Sequence, residues 1–232
     1  MKTHLIALTG YAGVGKDTVA DLLGTHCGFR KLAFADALRA EVAEGFCVDL
    51  SWFTDPERKN LPAPSFAMSR APFGFIGAVA LTVGAEGRNS AGLITDEWLD
   101  APRSPRQILQ WWGTEYRRRQ TPDYWTHALS RRIDNYLHMG DRRIVITDCR
   151  FDNEAAIVRA KRGVIWQVVR PHIDAATTAE GATHVSVTSG DQFQPDAVLN
   201  NLHSMRHLQQ LVLSEWLALD TGITGICVVV PA

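Results

Sequence analysis

The sequence predicts an α/β protein with a doubly wound, mostly parallel sheet flanked by helices, in a single domain spanning residues 1–232. Short apolar runs alternate with helical patterns along most of the chain, the arrangement that gives parallel strands joined by crossover helices. The first run passes through a glycine-rich loop into a helix, "TGYAGVGKDTVADLL" at residues 9–23. A chain of 232 residues is also long enough for one sizeable core.

Taken in order, "HLIALTG" has the apolar continuity of a buried parallel strand. In "KDTVADLLGTHCG", Val19, Leu22 and Leu23 recur at helical spacing, with Gly24 and Gly28 as stops. "FRKLAFADALRAEVAEGF" predicts a short strand ending near Phe34 and an amphipathic helix from about Asp36. Residues 48–103 are rich in Pro, Gly, Ala and Ser with weak periodicity, and are expected to form an irregular insertion or lid outside the core. A helix or strand is expected there at Phe75–Val83. At "SPRQILQWWGTEYRRR", Ser104 caps a helix, Pro105 takes its first position and Gln107 completes a capping box. Thr121 and Pro122 start the next helix, which runs through "DYWTHALSRRIDNYLHMG" to Gly140.

"RRIVITD" reads as a strand ending at Asp148, and "FDNEAAIVRAKRG" as a helix capped by Asp152 and stopped by Gly163. "VIWQVVRP" is another buried strand. Beyond a polar loop at 172–195, "DAVLNN" is the last parallel strand. The closing helix "LHSMRHLQQLVLSEWLAL" leaves two readings open, packing inside or pairing in a homodimer. Ligands of such sheets bind beyond the carboxyl ends of the strands, the edge where Gly10, Asp36, Asp148 and Arg170 fall.

A net charge of −1 gives no global footprint for nucleic acid or an anionic membrane, which argues against a nucleic-acid partner while leaving room for a local basic groove. No apolar run reaches membrane-spanning length, and the chain enters its first strand without a signal peptide. Four cysteines without paired or metal-like spacing read as reduced thiols, so a cytoplasmic location is expected. His203 and His207 lie four apart on a helix, but no acid follows His203 and no third ligand is evident; they read as surface residues rather than a zinc site.

The loop nearly matches G-x-x-x-x-G-K-[ST], with Asp17 where the hydroxyl should follow Lys16. Gly10, Gly13 and Gly15 let backbone N–H groups converge on phosphate oxygens at a helix N-terminus. Lys16 can reach the β- and γ-phosphates, and Thr18 can offer its hydroxyl one residue late. Asp17 suits the helix dipole and can hold Mg²⁺, which offsets its repulsion of a triphosphate. ATP and Mg²⁺ are therefore the expected cofactors. The bland alternative, a glycine turn with an incidental lysine, sits poorly with the strand before it and the helix after it.

Asp148 stands where a carboxylate can hold Mg²⁺ or its waters, and Arg150 would project into the same mouth. Phosphoryl transfer needs positive charge around the moving group, which suits Arg150. Glu154 could orient Arg150, bind a nucleoside hydroxyl, or simply form an exposed ion pair. Around "RRR" at 117–119 cluster Gln110, Trp111, Trp112, Thr114, Glu115, Tyr124 and Trp125, able to grip a base by stacking and hydrogen bonding. Trp111 or Trp112 is expected to be plain packing, and Trp125, just after the inter-helix loop, is the better stacking candidate.

Together "GYAGVGKDTVAD", "LAFADALR", "SPRQILQWWGTEYRR" with "DYWT", and "ITDCRFDNEAAIVR" followed by "VVRP" resemble the phage-type deoxynucleoside monophosphate kinases, a branch of the P-loop nucleotide kinases. The matching blocks span roughly residues 5–171, and Asp after the loop lysine is characteristic of that family. The resemblance implies that Lys16, Asp17 and Thr18 serve the ATP phosphates and metal. Phe34, Asp36 and Arg39 would line the acceptor pocket; Gln110, Thr114, Arg118 and Trp125 would bind the acceptor's base, sugar or phosphate. Asp148 and Arg150 would flank the transferring phosphoryl group. Lys16, Arg118, Asp148 and Arg150 are the catalytic candidates, Arg170 joins the ATP contacts, and Tyr124 and Glu154 the acceptor contacts. The family's later "H-x-S-E" and "N-x-G" read here as "HVSV" and "NNLHS", so His184 and Asn200 or Asn201 match only in part.

The implied activity is ATP-dependent phosphorylation of a deoxynucleoside monophosphate, a small-molecule nucleotide substrate. One rival is a kinase for a hydroxymethylated base in a nucleotide or DNA, which needs a carboxylate base such as Asp36 or Asp148. A second is a nucleotide-binding module without turnover. Which base the acceptor carries is not legible in the residues.

Overall fold

The computed structural model describes residues 2–55, 57–84, 87–171, 193–223 and 225. The chain forms two compact units, residues 1–34 with 129–232, and residues 35–128.

The first unit is a five-stranded parallel sheet flanked by helices, as the sequence predicts. Its strands are β1 (His4–Thr9), β2 (Arg30–Leu32), β3 (Arg143–Ile146), β4 (Val164–Val169) and β5 (Ala197–Asn200), in the spatial order β2-β3-β1-β4-β5. In register, Ile6 pairs with Val145 on one side of β1 and Val164 on the other. Alternation along β1 assigns its side chains to two cores. Ile6 and Leu8 join α1 (Lys16–Cys27) and the closing helix, whose Leu208, Val212 and Trp216 are buried. Leu5 and Ala7 face Leu129, Ile133, Ala155 and Val158 on the other face. Both faces being covered explains why β1 is buried at every residue.

The second unit holds α2 (Ala35–Phe46), α3 (Ser51–Thr54), α4 (Phe73–Ala80), α5 (Asp96–Asp100) and α6 (Pro105–Gln110). Without a break, α6 widens into a π-helix over Trp111–Arg118. Ser104 caps α6 as expected, its Oγ accepting from the Gln107 backbone N–H at 3.2 Å. Where a helix or strand is expected at Phe75–Val83, the chain forms a helix, α4, which begins and ends slightly earlier. Residues 48–103 nevertheless supply core: Phe53, Phe66, Met68, Phe75 and Val79 pack with Val42, Phe46 and Trp112. Elements of three to eight residues are too short to show periodicity in sequence, although all but α5 bury one or two large side chains.

The chain returns through α7 (Tyr124–His138), and α8 (Asp152–Ala160) follows β3. The closing helix, α9 (Met205–Thr221), is capped by Ser204, which accepts from the His207 N–H at 3.3 Å. Its apolar face is spent on the first unit's own core. Gly163 does not end α8 by a left-handed turn; Arg162 takes that conformation at φ 57°. Gly163 is needed for close approach, since a Cβ there would lie 3.0 Å from the Leu5 carbonyl oxygen.

Among the described residues no helix is long and apolar enough to cross a membrane. Cys27, Cys47 and Cys149 are free. His203 and His207 meet edge to face, 4.7 Å between ring centroids, and among the described residues no three His, Cys, Asp or Glu side chains are grouped as a metal site.

Candidate functional site

The glycine loop leaves the carboxyl end of the central strand and turns into α1. Gly10, Gly13 and Gly15 all have positive φ, 128°, 82° and 105°, which L side chains rarely adopt. The packing is equally restrictive. A Cβ on Gly10 would meet the Val168 carbonyl oxygen at 2.3 Å, and one on Gly15 the Asn201 Nδ2 at 2.7 Å. The loop is thus braced by β4 and by the residue after β5. Val14 anchors it from within, fully buried in the core below.

Lys16 opens α1, and its Nζ donates to the carbonyls of Gly10 and Tyr11, both at 2.7 Å. Burial, with the Arg150 guanidinium nearby, pulls its ammonium down to about 8, while Asp17 and Asp148 oppose the shift. Lys16, Asp17, Asp148 and Arg150 therefore share one electrostatic neighbourhood. Asp17 is exposed and Thr18 half-buried in the first turn of α1.

Asp148 is not the last residue of β3, which ends at Ile146. Its backbone neighbours still bind the sheet: the Thr147 N–H donates to Leu32 at 3.0 Å and the Cys149 N–H to Leu8 at 3.1 Å. Asp148 Oδ1 accepts from the Phe34 N–H at 2.7 Å. Phe34 thus contributes through its backbone; its ring is buried among Leu32, Ile144 and Ile146, and the expectation that it lines a pocket is corrected.

Asp152 is the first residue of α8 and not its cap. Phe151 holds the cap position, and Glu154, in the first turn, reaches back to it, its Oε2 accepting from the N–H groups of Arg150 at 2.8 Å and Phe151 at 3.2 Å. At 2 % exposure it is buried rather than solvated, and it fixes the backbone turn that carries Arg150. Arg150 and Arg170 are both exposed. Burial, reinforced by Glu154 and Asp148, pushes the Cys149 thiol far above its ordinary range, so it is no nucleophile. His184 lies outside the described residues.

In the second unit, Asp36 and Arg39 pair in the first turn of α2, Nη1 to Oδ1 at 3.1 Å. Arg39 Nε is closed off from solvent and has no hydrogen-bond partner among the described residues. Gln110, Thr114 and Arg118 recur every fourth residue along α6 and its π continuation, all half-exposed. π turns are rare and concentrate at functional sites. Trp125 is corrected: its ring is buried and its indole N–H donates to the Gly113 carbonyl at 3.1 Å, so no face is open for a base. Trp112 is packing as expected, at 3 % exposure, while Trp111 stacks against Trp98.

Glu41 carries no functional signature in the sequence. Its carboxylate accepts from the Trp112 indole N–H at 3.0 Å, the Arg117 Nε at 2.9 Å and the Tyr124 hydroxyl. Tyr124 is therefore tied to the helix framework, and Arg117 with it. One glutamate in an amphipathic helix carries no local pattern; only the pairing across 71 to 83 residues reveals it.

No protein-family model matches the chain, and no curated protein matches it. Among solved structures the chain is similar to a Thermus thermophilus protein (17% identity, 97% of this chain and 100% of that one, TM-score 0.46). It is similar also to the dephospho-CoA kinase of Campylobacter jejuni (11% identity, 96% and 99%, TM-score 0.45). A sugar kinase from a Janibacter species follows (14% identity, 94% and 95%, TM-score 0.42). Likenesses of this size leave the functional reading to the residues themselves.

Proposed function

We propose that the protein is a nucleotide kinase that transfers the γ-phosphoryl group of ATP to a deoxynucleoside monophosphate. The observation that carries the reading is the positive-φ glycine loop at the head of α1, with Lys16, Asp148 and Arg150 in one electrostatic neighbourhood. Backbone N–H groups at a helix N-terminus bind phosphate oxygens, Lys16 turns from the loop carbonyls to the β- and γ-phosphates, and Arg150 offsets charge on the moving group. Its position depends on the Glu154 carboxylate beneath it.

The oxygen-rich set of Asp17, Thr18 and Asp148 suits Mg²⁺, which is ordinarily held by one or two carboxylates together with substrate phosphates. When bound, the metal neutralises charge on the β- and γ-oxygens. Asp148 is preset for this role by the Phe34 N–H. The acceptor's phosphate is itself the nucleophile, so positioning suffices and no general base is needed.

The deoxynucleotide class rests on the resemblance of the sequence blocks and on the second unit's residues. Asp36, Arg39, Gln110, Thr114 and Arg118 are the candidates for the acceptor. The unpartnered Arg39 Nε supports this, since a buried N–H without an acceptor is costly and a phosphate or base oxygen would relieve it. A coupled ADP-release assay with ATP, Mg²⁺ and each deoxynucleoside monophosphate tests the proposal. Release with one or a few monophosphates, lost in Lys16→Met, is the expected result. Release only with hydroxymethylated nucleotide or DNA would move the acceptor from a phosphate to an alcohol. Bound ATP without release would leave a binding module.

A further inference from the structure

Asn201, the residue after β5, reaches back 187 positions to the glycine loop: its Nδ2 donates to the Val14 carbonyl at 2.9 Å. Its own N–H donates to Val169 at 2.7 Å, at the end of β4. One residue thus ties the ends of two strands to the loop. A trans peptide is planar, with its C=O and N–H pointing in opposite directions. Fixing the Val14 carbonyl toward Asn201 therefore turns the Gly15 N–H away from Asn201. Gly15 is held in the same orientation by its φ of 105° and by the amide packed where a Cβ would stand.

We propose that Asn201 is a positioning residue that sets the Val14–Gly15 peptide, so that the Gly15 N–H is presented to a nucleotide phosphate. The inference rests on the phosphate-binding reading of the loop and goes beyond it. It assigns the end of β5 to the phosphates and not to the base of the bound nucleotide. It also resolves which asparagine of "NNLHS" matters: Asn201 and not Asn200, which lies within β5.

The test compares ATP with inorganic tripolyphosphate, which has the phosphates and no base, on the full chain by calorimetry. Two variants are used. Asn201→Asp is isosteric but sets an oxygen against the Val14 carbonyl; Asn201→Ala removes the donor. Loss of one well-aimed phosphate contact is expected to weaken both ligands alike, by about tenfold. The unfolding midpoint of Asn201→Asp should stay within a few degrees of wild type, and the Gly15 amide resonance should move in the free variant. Should ATP weaken while tripolyphosphate does not, Asn201 contacts the base and the proposal falls. Unchanged affinity for both ligands overturns it as well. A wild-type chain that binds neither ligand would refute the phosphate-binding reading itself, an outcome distinct from either of these.

Discussion

Lys16 gives the account a pH dependence whose sign is fixed by its surroundings. Burial and Arg150 bring its ammonium from 10.5 to about 8. With that value, roughly nine-tenths of the molecules carry a charged Lys16 at pH 7 and roughly one-tenth at pH 9. A triphosphate binds the charged form, and binding raises the pKa by the attraction it adds. Affinity for ATP should therefore be level below about pH 7.5 and then fall by about tenfold per pH unit, the slope of one lost proton. Isothermal titration from pH 6.5 to 9.5 measures it directly. Two variants check the cause. Lys16→Met should bind weakly with no break in the profile. Arg150→Ala removes the like charge that helps to lower the pKa, so its break should move to higher pH whatever happens to the plateau. A wild-type profile flat to pH 9.5, or a break moving downward in Arg150→Ala, would refute the reasoning.

Three stability predictions test the packing. Trp125→Ala empties a buried aromatic site and should cost about 3–5 kcal/mol, lowering the melting midpoint on the order of 10 °C; a raised acceptor KM with an unchanged midpoint would restore the stacking role. Gly10→Ala combines φ 128° with a 2.3 Å approach to a backbone oxygen and should cost about 3 kcal/mol or more, whereas Gly28→Ala, at φ 71° with open space around it, should cost only about 1 kcal/mol. Equal losses in urea unfolding would contradict the bracing of the loop. Burial holds the His4 imidazole below 6.5, with Lys2 and Arg143 adding to the effect and Asp220 opposing it. The unfolded chain then binds more protons just below pH 6.5, so stability is full above that value and declines as pH falls toward the folded pKa. His4→Gln should flatten that slope.

What the sequence revealed follows from range. The parallel sheet was legible because β1, β3 and β4 are largely continuous apolar runs, and because a helix start such as that at Ser104 and Pro105 is marked within four residues. The glycine loop was legible for the same reason: its residues are adjacent in the chain and each has a backbone task. Asn201 and Glu41 act across the fold, whereas Glu154 acts on its own turn. Glu154 left three readings open (orienting Arg150, binding a nucleoside hydroxyl, or an exposed ion pair) because a capping carboxylate is indistinguishable in sequence from a solvated one. Trp125 looked available because aromatic spacing tells which face of a helix is apolar but not whether that face is covered. The core supplied by residues 48–103 was hidden by elements too short to be periodic.

The most direct test of the central claim follows the γ-phosphoryl group itself. The protein is incubated with γ-labelled ATP, Mg²⁺ and each deoxynucleoside monophosphate, and the labelled products are separated. The account predicts label in a deoxynucleoside diphosphate, at its β-position, for at least one base, with none in Lys16→Met. Label found only in inorganic phosphate, or on a base hydroxymethyl group, would contradict it.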